Sequence, residues 1–162
     1  RTGNPNLMPE YINSFELGHS VDFSKASLTT NLFYRQVNGV IDWITRIEEG
    51  IAYRRPENLN DGVSYGVELI GQASLTPWWK MNASYTVFVN KVDGTNLNAN
   101  FSNTQLGANA KMVSDFEMSK GLAFQVTGNY TAPEAEAQGF EAEQYFVDMG
   151  MRKSLWNQKA SL

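Results

Sequence analysis

Residues 65–75 read YGVELIGQASL, and this stretch decides the fold class. Tyr65, Val67, Leu69, Gly71, Ala73 and Leu75 fall on one side of an extended chain. Ser64, Gly66, Glu68, Gln72 and Ser74 fall on the other, with Ile70 the exception. A repeat of two is the side-chain period of a β-strand, not of a helix. The next stretch, MNASYTVFV at 81–89, repeats it, with Met81, Ala83, Tyr85, Val87 and Val89 opposite Asn82, Ser84 and Thr86.

Outward from this pair the alternation continues. QLGANAKMVSDFEM (105–118), LAFQVTGNY (122–130) and YFVDMGMRK (145–153) each carry one apolar and one polar face. The polar face is rich in Ser, Thr, Asn, Gln and Gly. No segment has a convincing helical period. The expected fold is all-β, an antiparallel up-and-down meander of about eight long strands, part of a β-barrel or closing into one. The strands are expected near 13–23, 26–47, 52–76, 78–92, 103–119, 121–131, 143–155 and 157–162. Short connections near 24, 77, 120 and 156 alternate with long ones near 47–53, 92–103 and 132–143. Long strands with short turns at one end and long loops at the other are the pattern of an outer-membrane barrel.

Composition narrows the function. The chain has 162 residues, a formal net charge of -4, no cysteine and one histidine. An acidic balance disfavours nucleic-acid binding, which needs a concentrated basic face. Without cysteine, and with His19 alone, thiol catalysis and a zinc site have no ligand set. Mean hydropathy is -0.38, which suits a membrane barrel as well as a soluble exported barrel or sandwich that binds a ligand. Two features favour the membrane version. The apolar face carries small residues freely (Gly71, Ala73, Ala83, Ala108, Ala110), and Phe23, Trp78, Trp79 and Trp156 stand at turns, where an interfacial girdle belongs.

Few residues carry a chemical signal. DWITRIEEGIAYRRPEN groups Trp43, Arg46, Glu48, Glu49, Tyr53, Arg54 and Arg55. That mix suits a ligand-facing loop, with aromatics stacking and arginines bonding carboxylate or phosphate. It equally suits a solvated hairpin with compensating charge. Glu134, Glu136, Glu141 and Glu143 form an acidic loop that either holds a divalent cation or is simply solvated. Trp78 and Trp79 read as an interfacial turn or a carbohydrate platform. The N-x-S/T sequons at Asn82, Asn100 and Asn129 read as chance matches. Glu68, Asp115, Glu117 and Asp148 lie on different strands and form no acid-base pair, and no nucleophile elbow is present. An enzyme has no supporting constellation, and no cofactor is expected.

Several stretches taken together resemble a known family. They are GNPNLMPEYINSFELGH (3–19), LTTNLFYRQVNGVID (28–42), YGVELIGQASL, LAFQVTGNYTAPEAEAQG (122–139) and VDMGMRKSLWNQKASL (147–162). In this order and spacing they resemble the C-terminal barrel of TonB-dependent outer-membrane receptors, in the form common in Bacteroidetes. The resemblance implies an active importer in the outer membrane of a Gram-negative cell. Its plug would sit inside a barrel of about 22 strands and be pulled by TonB. It implies that these residues are a single barrel fragment, cut at both ends, about a third of the whole. It carries over no catalytic residue. The expected partners are outer-membrane lipid, TonB through the plug region, and, for the isolated piece, other copies of itself through its exposed edge strands or its apolar face.

Overall fold

A computed structural model describes residues 3–98, 100–155 and 160–161, without the side chains of Glu48, Ala135, Glu136, Gly139, Phe140 and Ser161. Twelve strands form: β1 (Tyr11–Asp22), β2 (Ala26–Asn38), β3 (Ile41–Glu48), β4 (Ile51–Asn58), β5 (Asp61–Thr76), β6 (Trp79–Asp93), β7 (Ser102–Met118), β8 (Leu122–Thr131), β9 (Glu134–Glu136), β10 (Gly139–Glu141), β11 (Gln144–Leu155) and β12 (Ala160–Ser161). Eight of them make one antiparallel sheet in the order β1-β2-β5-β6-β7-β8-β11-β12. β3 with β4, and β9 with β10, are separate hairpins. β1 and β12 end the order, so the sheet is open.

The expected meander of about eight strands is therefore present, with two corrections. The runs expected at 26–47 and 52–76 are not single strands. Each leaves the main sheet, and β3 and β4 form a hairpin of their own. The chain turns out at Gly39, whose φ of 71° lies in the left-handed region that favours glycine. The long loop expected at 47–53 is instead a two-residue turn, Glu49–Gly50, with φ of 51° and 76°. Both residues lie in the positive-φ region that a tight hairpin turn requires. The strand expected at 157–162 lies mostly outside the described residues, as does Trp156. Within them, Leu155 pairs with Ala160.

Register aligns the faces across strands. Leu17, Leu32, Val67, Val87 and Ala108 form one row, and His19, Thr30, Leu69, Tyr85, Ala110, Tyr130 and Tyr145 another. This apolar face lies open: Leu106 is 68%, Tyr145 77% and Met149 80% exposed. Buried apolar residues are few among those described, namely Ile44, Leu59, Phe88, Ala132 and Ala137. A soluble barrel or sandwich of this length would turn its apolar face inward over a core. Here the sheet is a single layer with its apolar face outward.

The apolar face has limits. On β6 it runs from Trp79 to Val89, about 33 Å at about 3.3 Å per residue. Tilted by roughly 40°, that length matches the apolar band about 25 Å tall of an outer-membrane barrel. At the short-turn end Trp78, Trp79 and Phe116 stack with centroids 5.6–6.2 Å apart. Beyond Val89 the same face becomes polar, with Lys91 and Asp93 on β6 and Thr104 and Ser102 beside them on β7.

Candidate functional site

The long-loop end carries the only hydrophobic cluster found among the described residues. Ile44, Leu59 and Ala137 are buried there against Val40, Val92, Leu97 and Phe101. Three insertions meet in it: the β3–β4 hairpin, the 94–101 loop and the β9–β10 hairpin. Alternation explains which side of β3–β4 turns inward. Residues paired across an antiparallel ladder share a face. Ile44 pairs with Arg55, Arg46 with Tyr53 and Asp42 with Glu57, so these six share one face. Trp43, Thr45 and Arg54 take the other.

The seven expected ligand-facing residues are thus divided between two faces. Arg54 lies over the Trp43 ring at 5.7 Å, a cation–π contact on the outer face. Arg46 and Arg55 converge instead on Glu57, which the sequence reading did not single out. Arg46 Nη2 donates to Glu57 Oε2 at 2.8 Å, and Arg55 Nε donates to Oε1 at 2.7 Å. Tyr53 stands opposite Arg46, and Glu49 is exposed at the tip. The Glu48 side chain lies outside the described residues. Glu49–Gly50 was the missed signal: reading it as a two-residue turn puts Ile44, Arg46, Tyr53, Arg55 and Glu57 on one face by counting alone.

Glu57 is buried, with its side chain 7% exposed, while the two arginines are 41% and 48% exposed. Burial alone pushes its carboxyl pKa up. The hydrogen bonds and positive charge of Arg55 and Arg46 outweigh that and hold it below the ordinary glutamate value. A lowered pKa means stability present above the ordinary value and lost as pH falls through the folded one. Amide protection factors of residues 41–58 are therefore expected to drop as pH falls below about 4.5. Glu57→Gln should remove that dependence and weaken protection at neutral pH by about 1 kcal/mol, since the half-exposed arginines are screened. An unchanged acid transition in Glu57→Gln would sink this assignment.

Side-chain amides tie the insertions together. Gln138 both donates to Thr45 O and accepts from Thr45 N, at 2.9 and 2.8 Å, as a neighbouring strand would. Asn58 does the same for Met8, accepting from its N and donating to its O at 2.9 Å. It also donates to Gly39 O at 2.8 Å. Glu10 accepts from Ile41 N, and Asn4 donates to Pro56 O. The segment before β1 is thereby strapped to the hairpin. Asp93 accepts from the backbone N and the hydroxyl of Thr95, and the backbone bond above all holds its pKa down.

The remaining candidates are separate from this cluster. Among the described residues no group of three or more acidic or histidine side chains could hold a metal ion. Glu134 and Glu141 stand opposite each other on the β9–β10 hairpin, and Glu143 follows it. His19 is exposed on the apolar face opposite Thr30. The strand carboxylates are tied apart: Glu68 to Asn31, Asp115 to Gln125 and Glu117 to Lys80. Asn82 and Asn129 lie on the polar face of strands rather than in loops. That face is grooved; Ser14, Glu16, Asn31, Phe33, Arg35, Ser64, Glu68 and Thr86 line one depression.

No curated protein matches the sequence. Among solved structures, the copper transporter OprC is similar, with a TM-score of 0.66 and 16% identity. The likeness covers 92% of this chain and 24% of OprC, so the chain spans about a quarter of that protein. At such identity the likeness speaks to the fold. A model of the outer membrane protein beta-barrel family matches residues 1–162. With that match across its length and an outward apolar face of membrane height, the chain belongs to the outer membrane protein beta-barrel family and resides in the outer membrane.

Proposed function

We propose that these residues are about eight consecutive strands of a larger, plugged barrel that imports a nutrient, such as a siderophore or glycan, with energy delivered by TonB. The observation that carries this reading is the open eight-stranded sheet, whose two edge strands have no neighbour on one side among the described residues. In the bilayer an unpaired strand edge is prohibitively costly, so the edges call for further strands. The likeness to one quarter of a copper transporter agrees in scale. In this arrangement the short turns face the periplasm and the hairpin cluster faces outside. The role is transport rather than catalysis, and TonB acts through a plug elsewhere in the protein.

Reading the encoding frame on both sides of Arg1 and Leu162 is the first test. A plug domain upstream and a closing strand with a terminal aromatic downstream are expected. A frame that starts just before Arg1 and stops just after Leu162 overturns the proposal. With the full frame in hand, uptake should vanish when TonB is deleted. The isolated chain, its edges and apolar face uncovered, should self-associate. A clean monomer by light scattering without detergent would count against an outward apolar face.

A further inference from the structure

We infer that Lys120 and Lys153 form a seat for the headgroup of an anionic phospholipid, whose acyl chain lies along the methionine-bearing apolar face beside them. Strand parity brings the parts together. Met118 pairs with Leu122, and Leu122 with Lys153, so these three make the last apolar-face row before the short turn at 119–121. The next row is Trp79, Phe116, Phe124 and Met151, and Val126 with Met149 stand one row further in. Met118, Met149 and Met151 are exposed. Unbranched methionines have the rotational freedom to conform to a moving acyl chain.

The charge at this rim is one-sided. On the apolar face, from the Phe15, Tyr34 and Tyr65 row down to the short turns, Lys153 carries the only formal charge among the described residues. The described short turns add Lys25 and Lys120 and no carboxylate. Glu117 turns to the polar face and is tied to Lys80. Carboxylates return to the apolar side only at the opposite rim, as Asp61 and Asp93. The two lysines meet: Lys153 Nζ donates to Lys120 O at 2.5 Å. An ammonium has three donors, so two remain for a ligand. Lys120 is exposed, and an atom added at Gly121 would stand 3.1 Å from Ser154 Cβ, so the turn lies directly against β11. Two cations without a carboxylate on their face, at the depth where the apolar surface ends, match a headgroup of net negative charge. That this headgroup belongs to the periplasmic leaflet rests on the orientation proposed above; the seat itself does not.

The test uses the protein of the full reading frame in phosphatidylcholine nanodiscs. These residues contain no cysteine, so a bimane on Ser119→Cys reports from beside Lys120, with any cysteine elsewhere changed to serine. Phosphatidylglycerol or phosphatidylethanolamine, each brominated on its acyl chains, is titrated in as the quencher. Phosphatidylglycerol should reach half-quenching at about a tenfold lower mole fraction, as expected for two lysines at an anionic surface. Lys120→Gln and Lys153→Gln should each cut that preference about threefold, and together erase it. Arginine at both positions should restore it, and salt at about 1 M should weaken it. Lys91→Gln, at the opposite rim, should leave it unchanged. Heat-modifiable mobility on gels checks that each barrel is folded. Equal quenching by the two lipids overturns the seat. So does a preference that survives the double glutamine variant, or one that arginine does not restore. Both leaflets of the nanodisc are alike, so the result is independent of which way the turns face, of TonB and of import.

Discussion

Arginine at Tyr85 should destabilise the folded barrel by about 2–4 kcal/mol, whereas arginine at Thr86, the next residue, should cost less than about 1 kcal/mol. Tyr85 sits in the middle of the apolar run of β6 and is 47% exposed on the open face. In a bilayer its guanidinium would lie near the midplane, far from water. Thr86 points to the polar face and pairs with Glu68, so an arginine there gains both water and a counterion. The measurement is equilibrium unfolding in lipid vesicles, read by gel mobility. Equal costs at the two positions would refute the assignment of faces. A second substitution separates lipid from a packed interior. Ala110→Leu lies in the same row, between Tyr85 and Tyr130. Facing lipid it should be nearly neutral; in a filled interior it would cost about 1–3 kcal/mol by overpacking.

That contrast is also why so much of the fold could be read from residues alone. Alternation of two depends only on backbone geometry, so Tyr65–Leu75 and Met81–Val89 announce strands whichever face meets lipid. What alternation cannot show is a change of partner. Residues 26–47 keep an extended pattern through Gly39, yet the strand that pairs with Ala26–Asn38 is not the one that pairs with Ile41–Glu48. Only the positive-φ positions, Gly39 and Glu49–Gly50, mark the departure. The site was half legible for the same reason. Arg46 and Arg55 stand out in the sequence as members of a charged run. The bond from Arg46 to Glu57 crosses the hairpin turn, 11 residues of chain, and the clasp from Gln138 to Thr45 spans 93 and follows from packing.

Gly66→Ala is expected to be the most damaging single methyl addition, at about 3 kcal/mol or more. A Cβ there would collide with Val87 O and stand 2.8 Å from Phe88 Cα, both backbone atoms of the paired strand. Backbone cannot swing aside, so β5 and β6 would have to separate locally and lose ladder bonds. Gly107 on β7 flanks the same phenylalanine from the other side but differs in kind. An added Cβ there meets the Phe88 ring, 2.6 Å from Cζ, and a ring can rotate. Phe88 is 9% exposed although it faces the polar side, because its ring lies across the space Gly107 leaves. An aromatic ring covering a strand glycine pins register. Gly128 supplies the control, since nothing lies within 4 Å of its added Cβ. Gly128→Ala should therefore be neutral or slightly stabilising. The decisive measurement is a double-mutant cycle with Phe88→Ala in the same unfolding assay. Removing the ring should relieve most of the Gly107→Ala cost and little of the Gly66→Ala cost. If Phe88→Ala rescued both equally, the Gly66 clash would be with a side chain, and the close approach of β5 and β6 would not be what demands glycine.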